Sequence, residues 1–159
     1  MKKFLLTVLV FSSVAVNSQE IKKVKITELE KTIKESKTPL LVNFFATWCK
    51  PCIEEMPYFQ EAVKKYEKEG IQLLLISLDF REEYPNGLTS FIKKRKIISP
   101  VAWLDETKAD YFCPKIDAQW SGAIPATLFI NNKRGYRKFF EEQLSLEKLE
   151  KEIKSMLAK

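Results

Sequence analysis

The stretch PLLVNFFATWCKPCIEEMPYF, residues 39–59, changes character in its middle. Up to Phe45 the side chains are apolar and β-prone, with Asn43 as the one polar interruption. A short apolar run without alternation suits a strand covered on both faces. From Cys49 onward the apolar residues Ile53, Met56, Phe59, Val63 and Tyr66 recur at helical spacing. That pattern predicts a helix from about Cys49 to Glu69, closed by Gly70. The junction therefore puts Cys49 and Cys52 at the carboxyl edge of a buried strand and at the N-terminus of the helix that follows. Such a pair can be a structural staple, half of a metal site, or a disulfide that opens and closes.

Composition removes several of these uses. The chain has no histidine and three cysteines in all. Haem attachment through CxxCH is excluded because Ile53 follows Cys52. A Cys/His zinc centre is impossible, and an all-cysteine centre lacks a fourth thiolate, so no metal is expected. Histidine-paired cysteine hydrolysis is excluded as well. A staple across so short a loop would remove little chain entropy and stabilise the fold poorly.

The remaining use is chemical. Disulfide exchange begins with a thiolate, whose pKa of about 8.5 falls at helix N-termini and in CxxC pairs. Unpaired amides and the helix dipole favour negative charge there, and Cys49 is placed to receive that field. Lys50 adds an exposed positive charge. Pro51 suits the first turn because it has no amide hydrogen to lose. Cys52 lies one turn deeper and should be less exposed.

Around this junction the chain alternates strands and helices. Thr27 to Lys37 reads as a helix with Thr27-x-x-Glu30 as its capping box. IQLLLISLD is a second buried strand, and a helix capped by Asn86 or Thr89 runs to Lys96. PVAWL is a short strand and residues 106–118 are helical. ATLFI, the turn NNKRG and YRKFF form a hairpin. Leu144 to Leu157, opened by Ser145, is a closing amphipathic helix. The order predicts an α/β domain, a central mixed sheet with helices on both faces.

The N-terminus has another character. Lys2 and Lys3 precede an apolar run from Phe4 to Val16, and Val16-Asn17-Ser18 supplies small residues at a cleavage site. This is the form of a secretory signal. The run falls short of the roughly 20 apolar residues of a membrane span. No cysteine stands at the expected cleavage point, against a lipid anchor. The expected organisation is a signal peptide over 1–18 and one domain over 19–159, periplasmic or secreted after cleavage near Ser18. Cleavage removes two lysines and no acid, lowering the formal charge from +6 to +4. Acids and bases interleave along helix faces, and no basic stripe with aromatics appears, so nucleic-acid binding is not expected.

The stretch FFATWCKPC resembles the active site of the thioredoxin superfamily, and the longer WCxPCxxEMP resembles its TlpA/ResA-like extracytoplasmic branch. SGAIPATLFI is similar to the family's cis-proline segment, with Pro125 in the proline position, and Pro57 matches the proline of the active-site helix. The helix and strand between Phe80 and Leu104 resemble the insertion of this branch. The resemblance implies a thioredoxin-like fold and a redox disulfide Cys49–Cys52, in which Cys49 attacks and Cys52 resolves. It implies that Pro125 lies beside the cysteines, with Trp48, Ile124 and Pro125 contacting substrate, Ile124 through its backbone. It implies no cofactor, since the dithiol carries the two electrons. It also implies a reductant fed by a membrane thiol electron donor and acting on oxidised client proteins, apocytochrome c among them.

Two positions depart from thioredoxin. Its buried aspartate is matched here by Asn43, which cannot take a proton. Glu55, three residues after Cys52, is the expected replacement; the other reading is a solvated first-turn glutamate. Asp79 is a further candidate. Cys113 reads as a small buried hydrophobe, with a third redox thiol or an intermolecular disulfide as the alternative. Two other functions share the fold: a peroxiredoxin-like peroxidase and a non-enzymatic binding protein. The peroxidase pattern places Thr three residues before the reactive Cys, whereas Thr47 stands two before Cys49.

Overall fold

Alternating runs of strand and helix formers order the chain. In the computed structural model, which describes residues 20–158, the elements are β1 (Lys22–Val24), α1 (Ile26–Glu35), β2 (Leu40–Phe45), α2 (Lys50–Lys65), β3 (Gln72–Ser77), α3 (Asn86–Arg95), β4 (Val101–Leu104), α4 (Ala109–Ile116), β5 (Ala126–Asn131), β6 (Tyr136–Phe140) and α5 (Leu146–Leu157). The expected signal peptide, residues 1–18, lies outside the described residues.

The six strands form one sheet in the order β1-β4-β3-β2-β5-β6. β1, β4, β3 and β2 run parallel; β5 is antiparallel to β2, and β6 to β5. β2 is central and buried at all six positions. Its side chains alternate between two cores, as strand geometry requires. Leu41 and Phe45 join Met56, Phe59, Leu88, Ile92, Leu149 and Ile153 of α2, α3 and α5. Leu40, Val42 and Phe44 join Ile26, Leu29, Ile33, Phe112 and Ile116 of α1 and α4. Each fully buried Phe or Leu contributes roughly 1.5–3 kcal/mol, so the central strand is held from both sides. The mixed sheet with helices on both faces is the α/β architecture expected.

Several local expectations shift. The helix after the cysteines ends at Lys65, and Glu67–Glu69 tightens into one 3₁₀ turn before Gly70, whose φ of 73° is left-handed. Tightening of a last turn is a usual helix ending. The buried stripe of α2 is Cys52, Glu55, Met56, Phe59 and Ala62, so the helix is rotated from the face its apolar residues suggest and takes a glutamate into the core. Pro57 lies inside α2 without ending it. α1 starts after Lys25, whose N–H donates to Glu28 Oε2 at 2.7 Å, in place of the Thr27–Glu30 box. Pro85 precedes α3, in place of an Asn86 or Thr89 cap. α4 is shorter than residues 106–118. β1 was not expected: three residues, two of them exposed lysines, carry no strand pattern, and only pairing with β4 defines it.

Candidate active site

The parallel register of β2 and β3 extends past the strand ends and builds the loop that delivers Cys49. Phe45 pairs with Ser77, and the Leu78 N–H donates to the Phe45 carbonyl at 2.8 Å. Two positions on, Asp79 Oδ1 accepts from both the N–H and the hydroxyl of Thr47, at 2.8 and 2.7 Å. Its Oδ2 accepts from the Ser77 hydroxyl at 2.7 Å. The Asp79 carbonyl accepts from the Trp103 indole N–H at 2.8 Å. Asp79 is thus the fastening of the Cys49 loop. One residue further, Trp48 stacks on Phe80, ring centres 6.0 Å apart, and both are largely exposed, at 58% and 67%.

Cys49 is the N-cap of α2, and its sulfur accepts from the Cys52 N–H at 3.3 Å. An N-cap side chain satisfies one of the orphan amides of the first turn, and a thiolate in that place gains a charge-assisted bond as well as the field of the helix. Pro51 removes a competing amide from the same turn. Cys49 and Cys52 are joined as a disulfide, with Cα atoms 5.4 Å apart. Cys49 keeps 5% of its surface and Cys52 none, the order of exposure expected. Lys50 is exposed and lies 3.8 Å from Glu54, a weak surface pair.

Glu55 is fully buried. Oε1 accepts from Asn43 Nδ2 at 2.9 Å, and Oε2 from the Leu144 N–H at 2.7 Å, just ahead of α5. Asn43 Nδ2 also donates to Thr127 Oγ1 at 3.0 Å. A polar string therefore runs from β5 through β2 to α2 and α5, one helical turn from Cys52. Burial pushes the Glu55 carboxyl up to about 7, although the Leu144 amide and Asn43 both pull it down. A solvated first-turn glutamate does not describe this residue. Asn43, the departure from thioredoxin, here holds one oxygen of Glu55.

Pro125 is buried, and the Ile124–Pro125 bond is cis. β5 begins at Ala126, which lies opposite Phe44 of β2. The antiparallel pairing thus brings Ile124 and Pro125 to the end of β2 from which the chain leaves for Cys49. Ile124 is half-buried and packs against the cluster that holds Cys49 and Cys52. Cys113 is elsewhere, buried in the α1/α4 core and unpaired. Burial pushes its thiol up to about 11, which suits a packing residue. Phe80, Ser77, Asn43 as a partner of Glu55 and the Leu144 amide were not foreseen; each enters the site through register or helix packing and leaves no local mark in the sequence.

A buried mixed sheet with a CxxC disulfide between the central strand and its helix defines a thioredoxin-superfamily protein. A family model described as AhpC/TSA family matches residues 10–136, and the chain belongs to that family. The thiol-disulfide oxidoreductase ResA of Oceanobacillus iheyensis is 30% identical over 111 residues, 70% of this chain and 53% of that relative. The chain thus spans about half the length of that curated relative. Among solved structures, a thioredoxin-related protein from Neisseria meningitidis serogroup B superposes with a TM-score of 0.66 at 24% identity, covering 80% of this chain and 91% of that one. A thiol:disulfide interchange protein from Chlorobium tepidum gives 0.62 at 23% identity, covering 81% and 85%. At these identities the two structures speak to the fold.

Proposed function

We propose that the protein is an extracytoplasmic thiol–disulfide oxidoreductase that reduces disulfides of client proteins through Cys49 and Cys52. The observation that carries this reading is the Cys49–Cys52 disulfide at the N-cap of α2, with the buried Glu55 one turn further along. In the reduced enzyme the Cys49 thiolate attacks a client disulfide. A Cys49–client bond forms, the client bond breaks, and the outer client sulfur leaves as thiolate. Cys52 then gives its proton to Glu55 and attacks Cys49. The intramolecular disulfide forms and the client sulfur departs, so the client gains two electrons and the enzyme loses two. Glu55, raised to about 7, is matched to accept a thiol proton near neutral pH. Trp48, Ile124 and Pro125 line the approach to Cys49, with Ile124 offering backbone pairing to an extended client segment.

A thiol donor at the membrane would restore the dithiol. The leader-like residues 1–18 and the ResA-type likeness support a periplasmic or secreted setting and oxidised clients such as apocytochrome c. Thr47, the residue nearest to a peroxidase threonine, already donates its hydroxyl to Asp79.

The test is insulin reduction by the purified protein with dithiothreitol as donor, alongside peroxide consumption. Insulin turnover that vanishes in Cys49→Ala is expected. Cys52→Ser should accumulate reductant-sensitive mixed disulfides through Cys49. Trapping through Cys52 in Cys49→Ser instead would reverse the two roles. Peroxide turnover without insulin turnover would replace this reading with the peroxidase, and neither activity would leave a binding protein. The potential of the dithiol measures direction, since it depends on thiolate stabilisation.

A further inference from the structure

Beyond the disulfide, the segment that carries Ile124 and Pro125 is held by an acid that no sequence motif marks. β6 ends at Phe140, paired with Thr127 of β5. Glu141 follows, and its side chain turns onto the loop Ser121–Ala123. The Ser121 N–H donates to Oε1 and Oε2 at 3.1 and 3.2 Å, and the Ala123 N–H to Oε1 at 2.8 Å. The Ser121 hydroxyl donates to Oε1, and the Gly122 amide also bonds the carboxylate. Three consecutive amides converging on one anion form a nest. Gly122 makes the turn possible with φ of 100°, where a side chain would be strained. Partial burial alone would raise the Glu141 carboxyl, but the Ser121 hydroxyl and the amides outweigh it and hold it below the usual carboxylate range.

The other side of the loop is tied to the core. Trp120 is buried, packs on Phe44, Phe112 and Phe139, and donates its indole N–H to the Ala123 carbonyl at 2.9 Å. Both backbone groups of Ala123 are therefore engaged. Among the described residues neither the N–H nor the C=O of Ile124, the next residue, has a hydrogen-bond partner.

We propose that Glu141 is a positioning residue that locks the Ser121–Ala123 loop, so that the free peptide groups of Ile124 meet an extended client segment already ordered. This rests on the reading of Ile124–Pro125 as the client-binding edge. Ordering a loop in advance raises affinity by removing an entropy cost from the binding step. The consequence falls on client binding and leaves sulfur chemistry alone, because Glu141 bonds the loop and not the disulfide.

The experiment compares wild type, Glu141→Gln and Ser121→Ala on two substrates, insulin and hydroxyethyl disulfide, the second too small to pair with a backbone edge. Glu141→Gln should raise KM for insulin about tenfold, with kcat within about twofold, as expected for lost preorganisation. Its rate with hydroxyethyl disulfide should move less than about twofold. Ser121→Ala, which removes one donor, should move insulin KM in the same direction by about two- to threefold. Equal losses on both substrates would make Glu141 a general stabiliser and overturn the proposal. So would an unchanged KM for insulin in both variants while wild type remains active. If Glu141→Gln fails to fold, an unchanged insulin KM in Ser121→Ala rejects the proposal by itself. Wild type inactive on both substrates would instead remove the oxidoreductase reading beneath it.

Discussion

Glu55 and Asp79 are two buried carboxylates near the same disulfide, and they are held in different ways. Asp79 accepts from three donors, the Thr47 amide, the Thr47 hydroxyl and the Ser77 hydroxyl. Those donors belong to the loop before Cys49 and the strand end beside it, so the acid fastens a turn. Glu55 accepts from only two, the Asn43 amide and the Leu144 N–H, and is wholly removed from water. Its desolvation is incompletely offset, and its carboxyl rises to about 7. The same chemical group is a structural anchor in one place and, in the function proposed above, a proton acceptor in the other. The number of donors around it, set against its loss of water, separates the two roles.

The largest effect that tests this contrast is on turnover. Glu55→Gln keeps shape and burial but cannot take a proton. Resolution of the mixed disulfide should slow by about tenfold to a hundredfold, while first attack by Cys49 stays nearly intact. Wild-type turnover should rise with pH through about 7 as Glu55 loses its proton, and the variant should lack that limb. Stability carries the same signature. The folded Glu55 holds its proton up to about 7, against 4.5 for the ordinary carboxyl, so its favourable contribution is full below the lower value. It is lost as pH rises towards about 7, with a slope of at most about 1.4 kcal/mol per pH unit. Denaturation of the oxidised protein across that window should show the slope in wild type and a flatter line in Glu55→Gln. Identical pH profiles in both proteins would return Glu55 to a packing role.

Asp79→Ala should act through structure. It leaves the Thr47 amide and the Thr47 and Ser77 hydroxyls without their acceptor, which costs about 1–3 kcal/mol in denaturant unfolding. A loosened loop should lower turnover several-fold, a smaller loss than at Glu55. The pH limb near neutrality should survive. Its disappearance in Asp79→Ala would erase the distinction between the two acids and make Asp79 the proton acceptor.

The smallest effect sharpens the contrast from outside the site. Cys113 is buried in the opposite core with its thiol pushed up to about 11. Cys113→Ala should leave insulin turnover and trapping unchanged and cost on the order of 1 kcal/mol from lost packing. Alkylation of Cys113 should require unfolding. Native alkylation at a rate near that of reduced Cys49 would show a reactive third thiol.

Much of the frame was legible along the chain because it depends on neighbours a few residues apart. The run LLVNFF with no alternation announced a strand buried on both faces, and β2 is buried throughout. Ser145 caps α5, its hydroxyl accepting from the Lys148 N–H at 3.2 Å. Gly70 and Gly135 end their turns with left-handed φ, a conformation glycine adopts at little cost. The cysteines were placed correctly because a strand end, a proline and a helical period all meet there. Where the reading missed, a local rule met a distant partner. The apolar period of α2 pointed to Ile53, Val63 and Tyr66, but packing on β2 and α5 turned Glu55 inward instead. β1 needed β4 to become a strand at all.

The sequence by itself determined the α/β order and the CxxC at a helix start. These follow from backbone propensity, capping and periodicity, which act over one or two turns of chain. Only the tertiary structure decided which acid does what. Asp79 meets Thr47 across 32 residues, Asn43 meets Thr127 across 84, and Leu144 meets Glu55 across 89. Strand register and the docking of α5 bring those groups together. Burial then raises the Glu55 carboxyl, since its two donors only partly replace the water it has lost.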